Sequence, residues 1–217
     1  MSDVLIPGGR DVRGTLEEPP DGTDAIVVAC PPHPQQGGSR SDGRLVAVAA
    51  ALRGLGIASL RFDYGPWDEG YGEREDVRNA VRWARKKYDG GGCKSADDGE
   101  TDADALPVGV FGYSFGASLA LLAAADVDPD AVVVLAPTAR LGNDLDTLAA
   151  LEALEMPIHV LYGERDTTVD WEPVAERARE RGDTVTALAG DHFFLGKRDA
   201  IASEVATFFA EAFRETT

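Results

Sequence analysis

Basic charge, cysteine and histidine are all scarce in this chain. Four lysines and seventeen arginines face 38 acidic residues, for a formal net charge of −17 over 217 residues. That balance argues against nucleic acid or an anionic membrane as a partner bound through a basic surface. The acid excess is spread from Asp3 to Glu215 rather than gathered in one tail. A dispersed acidic surface poor in lysine resembles that of proteins from a salt-rich cytoplasm, where salt screens the self-repulsion; an ordinary acidic enzyme is the other reading. The two cysteines, Cys30 and Cys93, stand in unlike contexts without metal-ligand spacing, so a reduced, cytoplasmic setting is a simpler expectation than a disulfide. No run approaches 18 apolar residues without a charge, which excludes a transmembrane helix. Met1-Ser2-Asp3 does not lead from a basic segment into an apolar one, so no signal peptide is expected. Histidines and acids lack metal-ligand spacing, so no metal is expected.

What is present is a chain 44% hydrophobic, long enough for one sizeable core, and a single domain over 1–217 is expected. Short apolar runs at 4–6, 12–17, 25–30, 57–62, 107–112, 131–135, 158–162 and 185–188 read as strands. Segments 44–55, 75–88, 115–125, 145–154, 171–181 and 200–213 carry helical spacing. This cadence predicts an α/β protein, a mostly parallel twisted sheet with helices on both faces, whose first two strands pair antiparallel at an edge. The segment 136–144 is too short for a large lid. Residues 89–105, rich in glycine and aspartate, are expected to form a mobile acidic loop. No internal repeat occurs.

The strand at 107–112 runs into the helix at 115–125 through Gly112-Tyr113-Ser114-Phe115-Gly116. A strand turning straight into a helix holds the serine in a strained conformation, and glycines on either side relieve the crowding. In a chain with 24 glycines the pattern is weak alone. A serine hydroxyl needs a base, and three histidines permit elimination. His159 falls inside an apolar strand and reads as a packing residue. His33 lies among prolines in a loop. His192 follows the last strand, at the sheet edge where parallel strands share their carboxyl ends, and is the expected base. Among carboxylates at strand ends, Asp63, Asp166 and Asp191, Asp166 falls between Ser114 and His192 in chain order and is preferred, with Glu164 and Asp170 as alternatives. An oxyanion hole needs backbone N–H groups. Phe115 follows the nucleophile. In the loop after 25–30 the prolines at 31, 32 and 34 have no N–H, which leaves His33 and Gln35; Gln35 is preferred, with His33 ordering the loop. His33, Tyr64, Trp67 and Tyr113 are the candidate pocket residues.

Four pieces in order, His33-Pro34…Gly37-Gly38, Gly112-Tyr113-Ser114-Phe115-Gly116, Gly163-Glu164-Arg165-Asp166 and Asp191-His192-Phe193-Phe194, make the chain resemble the α/β-hydrolase superfamily over nearly its full length. It is most similar to the small, lidless members near the dienelactone-hydrolase-like group. Dienelactone hydrolases carry a cysteine nucleophile where this chain has Ser114, so the resemblance implies a reaction class rather than that substrate. It implies a serine hydrolase without a cofactor, cleaving a small-molecule carboxylic ester or thioester through an acyl-enzyme. An acyltransferase with the same residues, or a binding protein that keeps the fold, are the other readings.

Overall fold

β-branched and small apolar residues dominate the runs that become the strands: β1 Ser2–Ile6, β2 Val12–Glu17, β3 Ala25–Cys30, β4 Ile57–Asp63, β5 Val108–Tyr113, β6 Ala131–Leu135, β7 Ile158–Gly163 and β8 Thr184–Leu188. The structure is a computed structural model that describes residues 1–89 and 105–216. The expected acidic loop, 89–105, and Cys93 lie outside the described residues apart from that loop's two end residues. The strands form one sheet in the order β1-β2-β4-β3-β5-β6-β7-β8. β2 pairs antiparallel with both β1 and β4, and every other pairing is parallel. Among the described residues the α-helices are α1 Gly43–Arg53, α2 Tyr71–Tyr88, α3 Phe115–Val127, α4 Thr147–Glu152 and α5 Glu172–Arg181 between strands, and α6 Arg198–Thr216 after β8.

Side chains alternate across a strand, and β3 divides accordingly. Ile26, Val28 and Cys30 pack with α2, α3 and α5, whereas Ala25, Val27 and Ala29 pack with α1 and α6. Both faces of the sheet are thus covered, which is why the central strands read as unbroken apolar runs. Two of the boundaries that differ from the sequence expectation have a clear physical reason. α2 begins at Tyr71 rather than 75 because the Glu73 carboxylate accepts the backbone N–H groups of Asp68 and Gly70, both at 2.8 Å, and so caps a glycine start. α4 is shorter than 145–154, beginning only after Asp146 accepts the Ala149 N–H. Residues Pro34–Gln36 form a single 3-10 turn after β3. Among the described residues no helix is long and apolar enough to cross a membrane.

His159, expected as a packing residue, is 2% exposed. Its Nε2 lies 2.9 Å from Thr186 Oγ1 and its ring 5.1 Å from that of Phe208 on α6. Nδ1 is buried without a partner among the described residues. Glu204 and Glu211 of α6 line the adjacent cavity of about 180 Å³. Burial pushes the imidazole down to about 4. A folded value below the unfolded one means that the unfolded chain binds the proton better. Stability from this group is therefore full above about pH 6.5 and is lost as pH falls toward 4, by about 3 kcal/mol. Denaturant titrations at pH 7 and pH 4 should show that His159→Gln loses less stability on acidification than the wild type, by roughly that amount; equal losses would show that the buried imidazole is not what acid attacks.

Candidate active site

α3 starts at the residue after Ser114, and β5 ends at the residue before it, so the serine has no room for a relaxed turn. It adopts φ 55°, ψ −116°. The surrounding backbone holds it there: its N–H donates to Leu135 O at 2.8 Å, and its carbonyl accepts the N–H groups of Ala117 and Ser118 at 3.0 and 3.2 Å. The flanking glycines are required by close approach. A Cβ on Gly112 would lie 2.2 Å from Gly116 O, and one on Gly116 would lie 2.4 Å from both Cys30 O and Pro31 O.

His192 Nε2 lies 2.9 Å from Ser114 Oγ, and His192 Nδ1 lies 2.7 Å from Asp166 Oδ2. With Nδ1–H donating a hydrogen bond to the carboxylate, the lone pair of Nε2 is left to accept the serine proton. The Asp166 side chain is fully buried. Its second oxygen accepts the Thr168 N–H at 2.8 Å, and its carbonyl accepts Trp171 Nε1–H at 3.0 Å. Asp166 and His192 meet because β7 and β8 run on as paired loops: Glu164 N–H donates to Leu188 O and Arg165 N–H to Gly190 O, each at 3.0 Å. The alternatives lie elsewhere. Asp191 Oδ1 accepts the Phe193 N–H of its own turn, Asp63 accepts the Arg40 N–H, and Glu164 and Asp170 are exposed.

The Phe115 N–H opens α3 and the Gln35 N–H lies in the first turn of the 3-10 segment, so neither has a partner within its helix. Gly116, next to Phe115, closely approaches the backbone of Pro31, four residues before Gln35. The His33 ring sits 4.8 Å from the Phe115 ring and 4.7 Å from the Trp67 ring. Burial lowers its proton affinity, opposed by the Glu73 charge. Tyr64 donates its hydroxyl to Pro31 O at 3.0 Å and meets Phe115 edge-on at 5.9 Å. Trp67 is 38% exposed at the rim. Tyr113 is a correction. Expected in the pocket, it is 3% exposed and packs with Phe111 and Phe194 on the α1 and α6 side, because residues two apart in a strand share a face.

Sequence reasoning missed what holds the rim. Glu73 and Asp76 are fully buried charges. Asp76 accepts the Gly65 N–H and Arg10 Nε–H, both at 2.9 Å, and Arg10 also donates to Pro66 O. Desolvation pushes the Asp76 carboxyl above the usual range despite Arg10. The available signal was carboxylates at 73 and 76 in helical register with Val77 and Ala80, on the face that packs.

This is the α/β-hydrolase fold in its small, lidless form. The model of the dienelactone hydrolase family matches residues 96–187, a span that includes Ser114 and Asp166 and stops before His192. An α/β serine hydrolase homologue from Coxiella burnetii superposes with TM-score 0.77 at 22% identity, over 95% of this chain and 96% of that one. A lidless α/β serine hydrolase from Xanthomonas campestris gives 0.78 at 23%, over 98% and 94%. Two Mycobacterium tuberculosis proteins, provisionally named phosphoribosyl transferases, are 32% identical over 165 residues, covering 76% of this chain and 35% of theirs. The chain spans about a third of the length of these curated relatives.

Proposed function

We propose that the protein is a serine hydrolase that cleaves a carboxylic ester or thioester of modest size. The observation that carries this reading is the continuous hydrogen-bonded chain from Ser114 Oγ through His192 to a buried Asp166, at 2.9 and 2.7 Å. Ser114 Oγ attacks the substrate carbonyl carbon while its proton passes to His192 Nε2. Asp166 holds the ring in orientation and stabilises the imidazolium. The carbonyl oxygen gains the negative charge and is held by the Phe115 and Gln35 N–H groups. The tetrahedral intermediate collapses, the bond to the leaving alcohol or thiol breaks, and His192 returns the proton to it. Water then repeats the sequence on the acyl-enzyme and frees Ser114.

The one-domain reading over 1–217, the cytoplasmic setting and a surface adapted to high salt belong to the same proposal. The chemistry is tested with an active-site-directed fluorophosphonate and a panel of esters and thioesters of graded acyl length, run at low and high salt. The expected result is covalent labelling of native protein, turnover that falls with acyl length, and activity that rises with salt. Absence of both labelling and turnover at every salt concentration would refute the hydrolase reading.

A further inference from the structure

Two consecutive carbonyls of the base-bearing loop are gripped from beneath. Tyr113 donates its hydroxyl to His192 O at 2.8 Å, and Arg44 donates through an η nitrogen to Phe193 O at 2.7 Å. The two donors come from different elements, β5 and α1, yet they touch: the Arg44 guanidinium carbon lies 4.2 Å from the Tyr113 ring centroid, a cation–π contact. Arg44 is oriented in turn by Asp42, the cap of α1. One carboxylate oxygen of Asp42 accepts both the backbone N–H and Nε–H of Arg44, at 2.9 and 2.8 Å, and the other accepts an η nitrogen. Burial pushes the Tyr113 hydroxyl up to about 12, so it remains a donor at neutral pH.

Elsewhere the loop is held by the Arg165 N–H on Gly190 O and by the His192 ring on Asp166 and Ser114, none of which touches the 192 and 193 carbonyls. Phe193 and Leu195 are 59% and 83% exposed, and Phe194 is the buried anchor between them, with a strained φ of 49°. Tyr113 directly precedes Ser114. One dipeptide therefore meets His192 twice, at its carbonyl through Tyr113 and at its ring through Ser114. α1 does not need Arg44 to dock, since Leu45, Val48, Ala49 and Leu52 make its buried face.

We infer that Asp42, Arg44 and Tyr113 form a positioning relay that sets the His192 ring against Ser114. The inference rests on the hydrolase reading, because it assigns these residues a role only through that base. A misplacement of about 1 Å between reacting groups costs on the order of 100-fold in rate, so a small loop shift suffices.

The test compares wild type, Tyr113→Phe, Arg44→Met, Arg44→Lys and the Tyr113→Phe/Arg44→Met double variant. We expect kcat to fall about 10- to 100-fold in either single variant, with KM little changed and fluorophosphonate labelling slowed in proportion to kcat/KM. Arg44→Lys should recover part of the loss, since it keeps the charge over the ring but not the fork. The double variant should lose little more than the worse single one, because both release the same loop. In proton NMR, the downfield resonance of the His192 Nδ1–H held by Asp166 should broaden in both singles. Lowered thermal stability with unchanged kcat, a change confined to KM, or losses that multiply in the double variant would overturn the relay. Wild type that labels and turns over while the variants match it rejects the relay alone; wild type that does neither rejects the hydrolase reading itself.

Discussion

Ser114→Ala is expected to lower kcat on an activated ester by 10⁵-fold or more and to abolish fluorophosphonate labelling, with almost no change in stability. The size follows from the proposed mechanism, in which Ser114, His192 and Asp166 act as a unit. Removing the nucleophile or the base alone costs about as much as removing the whole set, on the order of 10⁶-fold, and what survives comes from the oxyanion donors and binding. His192→Ala should therefore match Ser114→Ala. Asp166→Asn should cost about 10⁴-fold, because the ring then loses the acceptor that sets its tautomer. Stability should hold because alanine occupies the strained φ of 55° at no greater cost than serine, and only the bond to His192 is lost. Initial rates and a melting curve on the same preparation check this. Turnover by Ser114→Ala within tenfold of wild type would remove Ser114 from the mechanism.

Gly116→Ala should be destabilised by about 4 kcal/mol or more, in the range reserved for a steric conflict without an escape, and should lose activity with it. The added Cβ would lie 2.4 Å from two backbone oxygens, those of Cys30 and Pro31. Neither can yield easily. Cys30 ends β3, which is paired on both sides, with β4 and β5. α3 must therefore pull away from β3, which moves Phe115 and Ser114 at its start. Gly142→Ala is the control: a Cβ there meets nothing within 4 Å, and its stability should stay within about 0.5 kcal/mol of wild type. Denaturant midpoints decide the matter; a Gly116→Ala protein as stable as the Gly142→Ala control would mean that the junction is looser than its geometry implies.

Much of the scaffold is legible in the sequence. The strands at 12–17, 25–30 and 131–135 coincide with β2, β3 and β6, because burial on both faces demands continuous apolar runs bounded by turn residues. Residues that act through polar contacts at a distance were harder to read. Glu73 lies before the helix expected at 75–88 and Asp76 near its start, yet Glu73 caps α2 and Asp76 holds the rim loop with Arg10, which lies 66 residues before it. Tyr113 stands beside Ser114 in the chain, yet the strand's alternation sends it, with Phe111, to the opposite layer.

By itself, then, the sequence determined the order of strands and helices, the glycine-flanked junction at Ser114, and the residue types that can move a proton in chain order. These are local properties: periodicity, turn chemistry and backbone sterics act over a few residues. Only the tertiary structure decided that His192, 78 residues after Ser114, and Asp166, 26 residues before His192, would meet at hydrogen-bond distance. That meeting depends on β5, β6, β7 and β8 lying side by side in parallel, so that their following loops converge on one edge. It depends equally on the buried contacts beneath the loop, from Tyr113 and Arg44, which no local pattern encodes.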